Sequence, residues 1–437
     1  MLNAMIEKFK IKDFKSYKEA DLHISPLSIL IGANASGKSN VLEALRLLNW
    51  LAQGQKLSAL QYQINEEDQI VRGFINHLPR FDQKKFTLGC SIKEGKKSYH
   101  ISLTIGLRNV KGNWELHFEH EECSNSEWLY RTKYPSERAF TEMKVEYNNF
   151  SRGGRKPQVN TTDQQVAFVQ LSPASFEVKY KKEAKTILTA TQALEKALTK
   201  IVFLDPTPKL MHGYSFKSDK KLLESGKNIS AVLYNLIEED ANNKAEILQF
   251  IKSLPEQQIE DISFIDTSRG EVLVQLHEAF LSANDNKVDA GLLSDGTLRA
   301  LAIVAALLSA ESGSLVIIEE IDNGIHPSRV KDLMERINEL AKRRELSVLI
   351  TSHNPTLLNA SPNETIDNVQ FCYRDKYDGC SKITQLQDIK DYPELIAQDE
   401  LGNLLTRGLI DEYVKDETSK EEKIKKSLDW LKQFRDE

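Results

Sequence analysis

Four short clusters in this chain hold residue types that could do chemistry on a phosphate. Gly32–Asn40 reads GANASGKSN, Leu293–Thr297 reads LSDGT, Val316–Asp322 reads VIIEEID, and Val348–His353 reads VLITSH. In the first, Gly32 and Gly37 stand where a backbone must curl tightly. The N–H groups of the intervening Asn34, Ala35 and Ser36 can then turn inward and cradle phosphate oxygens. Lys38 would reach the β- and γ-phosphates, Ser39 would bind Mg²⁺, and Asn40 closes the motif. A chance GxxxxGKS in a loop has the same letters, so the elements on either side must decide.

The acidic cluster ends an apolar run in two carboxylates. A buried strand can deliver one to a metal shell and the next to an attacking water. In this register Glu319 faces the metal and Glu320 polarises the water. An ordinary strand ending in surface acids reads alike, and only the company of GKS favours the chemical role. Ser294, Asp295 and Gly296 precede the apolar stretch Leu298–Leu308. They place unpaired donors and a helix dipole where an anion is favoured, or else a plain N-cap made by Ser294 or Asp295. His353 ends the apolar strand Leu346–Ile350, one helix after the acidic strand. A parallel sheet would bring it beside the carboxylates, within reach of a γ-phosphate or a water. His23, His77, His212 and His326 carry no such argument.

These clusters need a frame. Met5–Phe14 alternates apolar and polar, and Leu22–Ile31 ends in LSILI, so residues 5–31 read as two strands. Gly32 breaks the second. Ser39–Leu51 then has helical spacing, with Val41, Leu42, Leu45 and Leu48 on one face. From Phe86 to about Val169 the period becomes two: FTLGCSIK, YHISLTIGL, NWELHFEH, WLYRT, MKVEY and VAFVQL read as an antiparallel meander set beside the nucleotide lobe. Asn148–Asp163 reads as an exposed basic loop. Residues 172–200 read as helical, Ile201–Asp205 as a strand, Asn228–Leu254 as amphipathic helix and Ile259–Leu276 as a hairpin. From Leu293 to Val369 strand and helix alternate, the pattern of a mostly parallel sheet with helical flanks. Val369–Arg374 and Ser381–Leu386 pair around KYDG, and helices follow at Gln398–Leu409 and near Lys420–Phe434. The expected class is α/β, a P-loop nucleotide-binding head with a meander and a helical insertion. Its parts are 1–105 with the phosphate loop, 106–200 as insertion, 201–375 with the other three clusters, and 376–437 as a helical tail.

Composition narrows the setting. The 437 residues are 28% charged with net charge −6, which argues against a wholly basic nucleic-acid coat. No apolar run approaches a membrane span, and MLNAMIEKFKIKDF has no signal-peptide core. Cys90, Cys123, Cys372 and Cys380 are scattered, which fits a reducing cytoplasm better than a disulfide framework or zinc site. Three basic clusters, Ser151–Pro157, Lys179–Lys182 and Lys217–Lys221, could meet nucleic-acid phosphates but read slightly better as solvated faces.

Taken together, GANASGKSN, LSDGTLR, IIEEIDNGIHP and TSHNP resemble the ABC-type ATPases of the RecF/SMC branch. More narrowly they look like the stand-alone AAA-family ATPases grouped with the overcoming-lysogenization-defect and RecF-like proteins. Many of those serve bacterial anti-phage systems and some serve repair. The resemblance covers roughly 1–105 and 200–375, and FKIKDFKSYKEADLHI resembles the N-terminal strand in which a basic residue, here Lys15, lies near the phosphates. It implies ATP and Mg²⁺ as ligands and a head-to-tail homodimer or higher oligomer. Each site would take Lys38, Ser39, Glu319, Glu320 and His353 from one chain and Ser294, Asp295 and Gly296 from the other, with Asp322 speaking across the interface.

Several features depart from the family pattern. Glu319 stands where the family usually has Asp, which implies slow hydrolysis. SDGT replaces SGGQ, no glutamine loop can be placed, and neither a coiled-coil arm nor a CxxC hook is present. The tail is too short for the nuclease domain that some relatives carry. The expectation is therefore an ATP-hydrolysing subunit that senses or regulates in an anti-phage complex, with a separate effector (nuclease or toxin), possible nucleic-acid contact and no membrane. The alternatives are a RecF-like repair ATPase and an ATP-gated scaffold with very slow turnover. A transporter subunit fits least.

Overall fold

The computed structural model describes residues 3–63, 70–133, 142–172, 176, 181–252, 258–279, 286–389, 399–407 and 409. In the first half the strands are β1 (Ala4–Phe14), β2 (Tyr17–His23), β3 (Leu27–Ile31), β4 (Lys85–Glu94), β5 (Lys97–Val110), β6 (Asn113–Ser124), β7 (Trp128–Lys133), β8 (Glu142–Tyr147) and β9 (Gln158–Thr162). In the second half they are β10 (Val202–Leu204), β11 (Ser215–Phe216), β12 (Ile259–Asp266), β13 (Glu271–Glu278), β14 (Lys287–Asp289), β15 (Leu315–Ile318), β16 (Ser347–Ser352), β17 (Val369–Arg374) and β18 (Ser381–Gln385). One 14-stranded sheet runs β10-β15-β16-β3-β17-β18-β2-β1-β4-β5-β6-β7-β8-β9, and β11, β12, β13 and β14 form a small second sheet.

One end of the large sheet is parallel: β10, β15, β16, β3 and β17 run the same way. β3, β15 and β16 are buried along their whole length because both faces of the sheet are covered. Leu30, Leu315, Ile317 and Leu349 pack with the helix Lys38–Ala52 on one face. Ile29, Ile31, Val316, Ile318, Val348 and Ile350 pack with the helix Asp295–Ser309 on the other. Period-two alternation thus sorts the side chains of each strand between two cores.

The other end of the sheet is the antiparallel meander, hydrogen-bonded in series with the parallel strands rather than standing apart. The two ends meet at β18 and β2, whose pairing is a single register pair, Ser381 with Tyr17. The stretch 5–31 holds three strands, not two, because Ile24–Pro26 breaks the apolar run. Two expectations fail in the meander. VAFVQL contains the helix Ala167–Leu171, not a strand: the buried Glu121 carboxylate accepts from the Ala167 N–H (2.5 Å) and the Phe168 N–H (2.9 Å) and caps it. Within the stretch read as a basic loop, Gln158–Thr162 is the edge strand β9, paired antiparallel to β8. The expected tail helix begins at Leu401–Thr406, and the helix near Lys420–Phe434 lies outside the described residues. Of Lys179–Lys182, the first two residues lie outside them too, and Lys181 and Lys182 open the helix Lys181–Thr199.

Candidate active site

Strand register sets the site. Ile318 lies level with Ile350 and with Leu204, and Ser352 lies level with Ile31. The residues that follow these strands therefore emerge along one edge: Asp205 after β10, Glu319 and Glu320 after β15, His353 after β16, and Gly32 after β3. Ligands of open parallel sheets bind at such strand ends.

At Gly32 the chain passes so close to β17 that a Cβ would stand 2.1 Å from the Cys372 carbonyl oxygen. Gly37 takes φ +123°, and a Cβ there would stand 2.3 Å from Ser381 Oγ. Both glycines are therefore required by space. Ala33, Asn34 and Ala35 are exposed, and Ala35 also has a positive φ, 63°. The loop rests on a built floor. Ser381 Oγ donates to the Ser36 carbonyl (2.6 Å) and Tyr17 OH to the Gly37 carbonyl (3.1 Å). Arg374 Nε holds the Ala35 carbonyl (3.0 Å), and Asn40 Nδ2 donates to Ser16 Oγ (2.7 Å).

Gly37 is the N-cap of the helix Lys38–Ala52, and it brings no side-chain cap. No acidic residue stands in the first turn. The first-turn donors are those an anion would use. Lys38 Nζ lies over the loop, donating to the carbonyls of Gly32 (2.5 Å) and Ala33 (3.1 Å). Burial pulls its ammonium below the ordinary lysine value, opposed by Cys372, Glu320 and Asp322. Those two carboxylates are therefore electrostatic neighbours of Lys38 within one chain.

Glu319 and Glu320 diverge. Glu319, three-quarters or more buried, points to the face of the Lys38–Ala52 helix and pairs with Arg46, which also pairs with Glu224 and lies over the Phe203 ring at 5.1 Å. Burial pushes the Glu319 carboxyl above its usual range, and Arg46 pulls it back. Glu320 is exposed and takes φ 46°, a left-handed conformation that a non-glycine residue adopts only at a cost. Two contacts hold it: its N–H donates to Thr351 Oγ1 (3.2 Å), and its carboxylate accepts from Asn323. His353 is exposed just past that same Thr351.

Magnesium prefers oxygen donors and takes one or two from protein, with phosphates and water completing the shell. The exposed Ser39 hydroxyl in the first helical turn and the Glu319 carboxylate are donors of that class. Asp322 leaves Oδ1 buried without a hydrogen-bond partner among the described residues. The donor set fits Mg²⁺ shared with a nucleotide.

Ser294 is the N-cap of Asp295–Ser309, accepting from the Thr297 N–H at 3.2 Å, while Asp295 opens the helix. Gly296 packs on the Gly324 carbonyl, where a Cβ would stand at 2.8 Å. The signature residues thus group with the loop after the acidic strand, on the sheet face opposite the Lys38–Ala52 helix. Lys15 takes φ 46° and pairs its Nζ with buried Glu43 and the Arg72 carbonyl (2.9 Å), one residue from the Ser16 that supports the loop.

Sequence reasoning missed Arg46, Asp205, Glu224 and the floor residues Tyr17, Arg374 and Ser381. Asp205 had a readable signal, since it follows a short apolar strand. The others are brought in only by tertiary packing.

The chain is similar in part to known proteins. A 69-residue segment is 44% identical to the DNA replication and repair protein RecF of Gloeobacter violaceus, covering 16% of this chain and 16% of that protein. A 100-residue segment is 31% identical to RecF of an Enterobacter species, covering 23% of this chain and 24% of that protein. The chain is also similar to an SMC head bound to the C-winged helix domain of ScpA (TM-score 0.44, 16% identity, 88% of this chain and 100% of that one). A second similar structure is the SMC head domain from Thermotoga maritima (TM-score 0.38, 12% identity, 87% and 98%). Likenesses this distant assign no function. The model of the AAA ATPase domain family matches residues 5–358. With most of its length inside that match, the chain belongs to the AAA ATPase domain family.

Proposed function

We propose that this chain works as a head-to-tail homodimer that closes on Mg²⁺-ATP and opens on hydrolysis. In each site Lys38 and the Gly32–Gly37 loop hold the phosphates, and Ser39 and Glu319 hold the metal. Glu320 orients the attacking water, and His353 contacts the γ-phosphate end. Ser294, Asp295 and Gly296 come from the partner copy. One observation carries the reading: the helices that would clasp one nucleotide lie on opposite faces of the sheet within a single chain. A second copy supplies the missing half. Metal supplies charge neutralisation at the phosphates, while the protein's own part is to position, to exclude solvent and to hold the water's proton acceptor. Glu320→Gln with ATP should run as a dimer by light scattering, and wild type after turnover as a monomer. A monomeric Glu320→Gln chain that still binds ATP would overturn the shared site.

For output, we propose that the ATPase regulates a separate effector, nuclease or toxin, in an anti-phage complex in the cytoplasm. The resemblance of the four motifs to stand-alone ATPases of that kind supports it. The segmental similarity to RecF favours a second reading, a repair ATPase acting on DNA. Deletion strains separate them: loss of phage resistance with ordinary DNA-damage survival supports the first, and the reverse supports the second. Turnover no faster in wild type than in Glu320→Gln would favour an ATP-gated scaffold over both.

A further inference from the structure

The phosphate-loop helix carries a cation that none of the motifs accounts for. Arg46 lies two turns beyond Lys38, with its side chain about five-sixths buried against the Phe203 ring. Its Nη2 contacts two carboxylates at once, Glu319 at the end of β15 and Glu224 in the segment before the helix Ile229–Glu239. Glu224 is itself fixed to the strand edge. Its carbonyl accepts from the Asp205 N–H (2.9 Å), and the next carbonyl, Ser225, accepts from the Thr207 N–H (2.9 Å). One guanidinium therefore ties the candidate metal carboxylate to the segment that leads into the small sheet and its helices.

We propose that Arg46 is a positioning residue that shares itself between Glu319 and Glu224, so that metal binding at Glu319 shifts its pairing toward Glu224. The inference rests on the ATPase reading and deepens it. A carboxylate that donates its oxygens to a divalent cation has less charge to offer a guanidinium, and a cation beside it repels one. Glu224 is the acceptor already in place to receive Arg46, with 38% of its side chain open to solvent and so able to carry a full charge pair. The exchange breaks no covalent bond and moves no proton. Loop segment 224–225 would register the change and pass it to the Asp205–Thr207 strand end.

The test is a Mg²⁺ titration of a fluorescent, non-hydrolysable ATP analogue on the full chain, read as the Mg²⁺ concentration at half-maximal binding. Glu224→Gln confines Arg46 to Glu319, and the midpoint should rise by about fivefold, the scale of a partly exposed ion pair. Arg46→Met frees Glu319 and removes a positive neighbour, and the midpoint should fall. Arg46→Lys keeps the charge without the fork and should stand between Arg46→Met and wild type. Thermal melts of each variant without nucleotide report folding separately, since a purely structural role lowers stability without moving the midpoints in opposite directions. Midpoints that stay together, or move the same way, overturn the proposal while leaving the ATPase intact. Failure of wild type to bind the analogue at any Mg²⁺ concentration overturns the nucleotide reading and this proposal with it.

Discussion

Glu320 shows what a single residue gives up for position. Its left-handed backbone, φ 46°, costs roughly 1 kcal/mol for a side chain with a Cβ. The turn places Glu320 away from Glu319, so that two adjacent carboxylates serve different partners. Replacing Glu320 by Gly should relieve the strain, and replacing it by Ala should not, while both lose the same Asn323 contact. Glu320→Gly should therefore be more stable than Glu320→Ala by about 1 kcal/mol in urea unfolding. Both should lose turnover by about a hundredfold or more, as expected when a positioned proton acceptor is removed. Equal stability of the two variants would show that the surrounding structure stores no strain there.

At the scale of elements, the helix Ala167–Leu171 depends on one carboxylate. Glu121 is fully buried and accepts from Ala167, Phe168 and Tyr130 OH. Burial pushes its carboxyl up to about 7 against those hydrogen bonds, from an ordinary value of 4.5. Between these two values the folded chain holds a proton that the unfolded chain has lost. Stability from this group is therefore present at low pH, falls as pH rises from 4.5 to about 7, and is flat above. Glu121→Gln removes the titration, so the melting temperature of wild type relative to Glu121→Gln should fall between about pH 5 and pH 8. A difference that does not change with pH would contradict the buried, protonated state. The same element marks a limit of sequence reading. VAFVQL alternates well enough for a strand, and the group that makes it a helix stands forty-five residues or more away in β6. QVNTT was hidden beside SRGGRKP, whose glycines and charges read as loop. By contrast the helix after the phosphate loop, the acidic strand and the strand before His353 were legible, because their periods and lengths suit a sheet covered on both faces. Arg46 was illegible for the opposite reason: it is a polar residue on an apolar helix whose partners come from two distant segments.

At the scale of the molecule, a shared site makes a prediction that no single chain can satisfy. Lys38→Ala and Ser294→Arg chains should each be inactive alone. Mixed, they form hybrid dimers with one intact site and one doubly damaged site, and an equal mixture should recover about a quarter of wild-type ATP turnover if dimers form at random. A mixture as inactive as its components would place Ser294 outside the partner's site. The joint between the two halves of the large sheet has a mechanical consequence. Parallel strands stand on one side and the antiparallel meander on the other; among the described residues β18 and β2 pair through Ser381 and Tyr17, with the Ser381 N–H on the Ser16 carbonyl at 2.8 Å, while the Gln370 side chain of β17 bridges to the His23 backbone of β2. The Ser381 and Tyr17 side chains also hold up Ser36 and Gly37. The joint and the Gly32–Asn40 loop thus share two side chains, so a shift of β18 against β2 would carry the Ser36 and Gly37 carbonyls with it.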